Sequence, residues 1–160
     1  MKNIILITFL FFIYNCGYTS VYKNLGNQDF QIVITEMQGD REMNNLIKNE
    51  INLYSNKDSV FKFDITILSK FEKVAISKNS SGIITDYELS ANSIFTINFN
   101  GEVQKIKLNE AMNITKQTNT FEQDAYEKNI KRNFASSIRE KLISEISSMK
   151  VDTSTISDIK

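Results

Sequence analysis

The chain is 160 residues long, with nineteen Lys+Arg against nineteen Asp+Glu, which leaves room for one domain with a real core. A balanced charge gives no global field to hold a duplex by its phosphates, so nucleic-acid binding of that kind is disfavoured, with a local basic patch left open. The chain contains no His, no Pro and a single Cys, so it lacks the usual neutral-pH proton shuttle, the imidazole metal ligand, an internal disulfide and a thiolate zinc site.

Chain order begins with a short positive start, Met1-Lys2-Asn3, and an apolar run from Ile4 to Tyr14. As a helix that run would span about 16 Å, roughly half a ~30 Å hydrocarbon core. It is the length of a signal-peptide core rather than a membrane span. The run stops at Asn15-Cys16-Gly17, and a lone Cys directly after such a segment resembles a bacterial lipobox, in which Cys is the first mature residue and carries acyl chains. Ile13 fits the aliphatic position of that pattern, whereas Tyr14 and Asn15 depart from its small residues. Residues 1–15 are therefore expected to be a signal peptide, Cys16 the lipidation site, and 16–29 a polar tether. Cleavage after Asn15 removes Lys2 and leaves a formal charge of −1.

Phe30 to Met37 is β-branched and alternating, which predicts a first strand. Gly39-Asp40 follows, with Asp40 placed to cap a helix and Glu42 in its first turn. Met43, Leu46, Ile47, Ile51 and Tyr54 then recur at helical spacing, so Arg41 to Ser55 reads as one amphipathic helix whose Asn44, Asn45, Lys48, Asn49 and Asn52 point elsewhere. Val60 to Ser77 reads as a long strand, with Phe61, Phe63, Ile65 and Ile67 on one face and Lys62, Asp64 and Thr66 on the other. After the 78–82 loop, Ile83 to Phe99 returns with Tyr87, Leu89, Ala91, Phe95, Ile97 and Phe99 on one parity. Asn100-Gly101 is a strong hairpin signal. Val103 to Thr115 makes a fourth strand with Ile106, Leu108, Met112 and Ile114 inward; Glu110 shares that parity, which predicts a bulge near Ala111.

From Thr120 the period changes. Phe121, Ala125, Ile130, Phe134, Ile138, Leu142, Ile146 and Met149 mark a long amphipathic helix, with Thr120 as N-cap and Gln123 in the capping-box position. Residues 151–160 read as a flexible tail. The expected fold is a single α+β domain over 30–150, order β-α-β-β-β-α. A single-layer, mostly antiparallel four-stranded sheet carries two helices on one face.

Element order, leader and several segments together resemble the LPS-assembly lipoprotein family, LptE. The resemblance rests on Cys16-Gly17-Tyr18 followed by Val21-Tyr22, on Leu46 with Asn49-Glu50-Ile51, and on Thr85-Asp86-Tyr87-Glu88-Leu89 running on to Phe95-Thr96-Ile97. It extends to Asp124-Ala125 and to Ile138-Arg139-Glu140-Lys141-Leu142, and so spans nearly the whole chain apart from the last ten residues. The resemblance implies a lipid-anchored protein on the periplasmic side of the outer membrane. Such a protein plugs and helps assemble the LPS translocon barrel LptD and takes part in lipopolysaccharide insertion, with no reaction and no cofactor.

Lys70, Lys73, Lys78, Lys105 and Lys107 are candidate point charges for lipopolysaccharide phosphates or acidic barrel groups, set against the simpler role of a solvated face. Asp64 and Glu88 are the only carboxylates worth weighing as an acid–base pair, and cross-strand salt bridges suit them better. The aromatic series suits core packing more than a lipid pocket. No phosphate loop, metal spacing or nucleophile–base set is present, so an enzyme is not expected. The alternative function is a stand-alone lipid- or glycan-binding envelope lipoprotein, such as an auxiliary subunit of an envelope lipid transporter.

Overall fold

The computed structural model describes residues 30–157, with side chains as far as Met149. Cys16, the signal peptide, the tether and the side chains of the 151–160 tail lie outside the described residues. Six elements follow in order: β1 (Gln31–Gly39), α1 (Arg41–Asn52), β2 (Lys62–Lys78), β3 (Ile84–Phe99), β4 (Glu102–Thr115) and α2 (Thr120–Ser157). The strands form one sheet in the order β1-β2-β3-β4. β2, β3 and β4 pair antiparallel, whereas β1 pairs parallel to β2, so the sheet is mixed. A parallel neighbour follows from chain direction, because α1 carries the chain back before β2 begins.

The two-residue period decides the layers. Phe63, Ile65 and Ile67 of β2, Leu89, Ala91, Phe95 and Ile97 of β3, and Ile106 and Ile114 of β4 share the inward face and are buried. Against them pack Met43, Ile47 and Ile51 of α1 and Ile130, Phe134, Ile138, Leu142 and Ile146 of α2. Each buried aliphatic of this kind contributes about 1.5–3 kcal/mol, which is what holds an Asn-rich helix of modest intrinsic propensity in place. Phe63 stacks on Phe99 at 4.3 Å between ring centroids, with Phe30 edge-on to Phe63 at 5.8 Å, so the aromatics are core. Among the described residues the opposite face of the sheet carries no helix.

Asn100 and Gly101 both take positive φ (52° and 87°), the turn that Asn-Gly favours between twisted antiparallel strands. Several details differ from the sequence expectations. No bulge interrupts β4 near Ala111, where Ala91 pairs with Glu110 and Ser90 with Ala111 in unbroken register. Glu110 stays on the inward parity because Ser137 Oγ (2.7 Å) and Lys141 Nζ (2.6 Å) donate to it from α2. The irregularities fall instead on β1, between Ile34 and Glu36, and at the end of β2, past Ala75. Asn44 faces inward and is buried, not solvated.

At the start of α2 the cap is Asn119, whose Oδ1 accepts from the Phe121 amide at 2.9 Å, one residue before the predicted cap. Gln123 accepts instead from the amide of Gln117 at 2.7 Å. Phe121 and Ala125 are exposed, Phe121 at 79 %. The inward apolar stripe begins at Ile130, and in the turns before it Glu127 pairs with Lys73, which sits over the Tyr87 ring.

Candidate functional site

The helix-free face of the sheet is built from the even positions of β2 and β3 and the odd positions of β4. Near its middle, Leu68, Ile94 and Lys107 fall in one row across three strands, and Lys70 and Asn92 in the next. Together with Glu72 they line an open depression of about 580 Å³ beside the end of β1. Its floor is apolar, since Leu68 is 44 % exposed between Thr66 and Lys70 on the same parity.

Of the five lysines singled out from sequence, the fold brings Lys70, Lys105 and Lys107 onto this open face. Lys105 sits opposite Thr96, next in line to Lys107 opposite Ile94. Lys70 is 2.8 Å from Glu72 two positions along its own strand, so part of its charge is already answered. Lys73 lies on the other face, where it pairs with Glu127 of α2 and sits 4.3 Å over the Tyr87 ring. Lys78 stands at the far end of β2, opposite Ile84. The five do not form a single cluster. Two apolar residues, Leu68 and Ile94, complete the depression and were not singled out; their signal is that both interrupt a polar parity at facing register.

Asp64 and Glu88 do not meet. Asp64 is opposite Asn98 and Glu88 opposite Val74, ten positions apart along β2. At ~3.3 Å per residue that is roughly 33 Å, far beyond any shared proton. Asp64 is not in a cross-strand bridge either, because its opposite residue carries no cation; it pairs with Lys62 on its own strand at 3.1 Å. Asp86 accepts hydroxyls from Thr85 (2.8 Å) and Thr115 (3.0 Å). These hold its carboxyl below the ordinary 3.8, with the Thr85 hydroxyl the largest cause. That is a strand-end staple, with no cation or nucleophile beside it.

Arg139 is the other charged group with an unusual setting. Its side chain is 8 % exposed, stacks on Tyr54 at 4.2 Å, and lies 3.5 Å from Glu50. The Asn49-Glu50-Ile51 and Ile138-to-Leu142 segments thus meet in space, and their meeting locks α1 to α2. Among the described residues no group of His, Cys, Asp or Glu is arranged to hold a metal, and no helix is long and apolar enough to cross a membrane.

No family model matches the sequence, and no curated protein matches it. Solved structures do. Rare lipoprotein B from Shewanella oneidensis is 12 % identical, with a TM-score of 0.58, over 78 % of this chain and 98 % of that one. A putative lipoprotein from Caulobacter crescentus is 10 % identical, with a TM-score of 0.53, over 75 % of this chain and 91 % of that one. At such identities the likeness establishes a shared fold, and the proteins that share it are bacterial lipoproteins.

Proposed function

We propose that this chain is an envelope lipoprotein, anchored by acyl chains on Cys16 to the periplasmic side of the outer membrane. There it acts by binding rather than by catalysis. Its place is that of the LptE family: a wedge that plugs and helps assemble the LPS translocon barrel LptD and takes part in lipopolysaccharide insertion. One observation carries the reading. The described domain shares its fold with rare lipoprotein B over 98 % of that protein, and here the same fold follows a short apolar leader ending in a lone Cys. A two-layer domain with helices on one face and a bare sheet on the other has a broad surface left for a partner. A lipid tether raises its effective concentration at the membrane, so modest contacts suffice.

The depression on the bare face supports the second reading, a stand-alone lipid- or glycan-binding lipoprotein. An apolar floor with Lys70 and Lys107 at its rim suits an amphiphilic anion. Affinity purification of a tagged full-length chain from detergent-extracted outer membranes separates the two. A stoichiometric barrel of high mass is the expected result; a monomer carrying only lipid would replace the plug with the second reading.

A further inference from the structure

β1 stops before β2 does. It leaves β2 at the Gly39–Ser69 pair, where Gly39 takes φ +86° and the chain turns into α1, while β2 runs on to Lys78. The direction of β2's backbone groups can be followed past that point. Ser69 turns its carbonyl to the β1 side and accepts the Asp40 amide at 2.8 Å, and Phe61 does the same for Gln31 at 2.7 Å. Register with β3 is unbroken from Asp64 to Ala75. The two-residue period therefore aims the N–H and C=O of Phe71, Lys73 and Ala75 into the space that β1 vacates. Among the described residues none of these backbone groups has a partner. Past Ala75 the register with β3 shifts, which ends the regular edge.

We propose that Phe71–Ala75 is a strand-addition site, and that its occupant is an extended segment of a partner protein lying in the column beyond β1. The proposal rests on the binding role given above and names where and how the partner docks. Three features define the occupant. Five residues at ~3.3 Å each make a slot of about 17 Å, close to one ordinary strand. The depression of the bare face opens at this slot, with Gly39, Lys70, Glu72 and Lys107 among its lining residues, so the end of β1, the depression and the free edge are continuous. Lysines usually shield an open edge. Here the Lys73 ammonium is drawn away to Glu127 and the Tyr87 ring, which leaves the middle of the slot unshielded.

The side chains argue against a second copy in the registers centred inside the slot. Antiparallel self-pairing centred on Lys73 sets Lys73 against Lys73, centring on Glu72 sets Glu72 against Glu72, and centring on Val74 sets Lys70 against Lys78. Each places like charges directly opposite on one face. A foreign strand carrying an apolar residue on the Phe71 face and an acidic or neutral residue toward Lys70 meets neither objection.

The test uses the full-length chain in the envelope, with a photoreactive residue at Glu72 or at Val74. Cross-linked peptides should map to one short run of a second protein, at positions two residues apart. In the purified complex, amide exchange at Phe71, Lys73 and Ala75 should slow at least tenfold relative to the free protein, with Lys70 and Glu72, already bonded to β3, unchanged. Ala75→Pro removes one outward N–H without touching the bond to β3, and it should lower recovered complex at least tenfold. Cross-links to residues 17–29 of the same chain, to a second copy or to lipid alone would overturn the proposal, as would unprotected edge amides in the complex. Protected amides with a partner other than the barrel would keep strand addition and remove the barrel role. A barrel that copurifies while these amides stay unprotected would do the reverse.

Discussion

Gly39 is the position where one missing methyl decides most. A Cβ built there would lie 2.0 Å from the Ser69 carbonyl oxygen, and φ is +86°. That oxygen cannot retreat freely, because it accepts the Asp40 amide, and the Ser69 hydroxyl is bound to Asn44 Oδ1 at 2.8 Å. Gly39→Ala should cost about 3 kcal/mol or more, read as a lower urea midpoint at unchanged slope. Gly39→Asn tolerates the positive φ but keeps the collision, so it should also fail; rescue by Asn would show that conformation alone, not the contact, sets the requirement. Asp86 offers a second test. A folded carboxylate held below its ordinary value adds stability above the unfolded value, and that stability fades as pH falls through the folded one. An NMR titration should place Asp86 below 3.8, and Thr85→Val should move it upward toward that value. No movement would mean that the Thr85 hydroxyl is not the main cause.

Between elements, the start of α2 separates two readings of the same residues. If Asn119 is the cap, Asn119→Ala should cost about 1 kcal/mol and Thr120→Ala only a few tenths, measured by urea unfolding. The reverse order would restore Thr120 as the cap. This is the pattern of legibility throughout the molecule. Features written as a local period were readable: the inward rows of β2 and β3, the α1 stripe, the Asn100-Gly101 turn and the order of elements. Features that depend on a residue far along the chain were not. Glu110 looked like a bulge because a carboxylate on a core parity lacks a local reason to be there; its reason is Ser137 and Lys141 on α2. Asn44 looked solvated because Gln38 O and Ser69, which satisfy it, belong to β1 and β2. Phe121 looked buried because its spacing continues the stripe, yet the buried stripe starts only at Ile130. Of the candidate lysines, strand parity already separated Lys73 from Lys70, Lys105 and Lys107. The ion pair that occupies Lys73 needed Glu127 of α2.

At the scale of the whole molecule, α2 is clamped by charge as well as by its apolar stripe. Lys73–Glu127, Lys131–Glu42, Arg139–Glu50 and Lys141–Glu110 tie it to β2, to α1 and to β4. The helices are thus committed to one side of the sheet, and among the described residues no element covers the bare side or the free edge of β2. On the proposed function, what keeps the domain near its partner is the anchor on Cys16. One acyl chain gives only marginal, reversible attachment, whereas several chains at ~0.8 kcal/mol per buried CH₂ hold a protein on the membrane permanently. The native chain should therefore stay in the membrane pellet through a carbonate wash, and the mature N-terminus should begin at Cys16 with the added mass of acyl chains. On that proposal, Cys16→Ala should remove the anchor and leave the docking surface. It should move to the soluble fraction when the barrel is scarce and return to the membrane when the barrel is overproduced, because strand and face contacts then act alone. Retention of Cys16→Ala through the wash with no barrel present would show that something other than the acyl anchor holds this protein to the membrane.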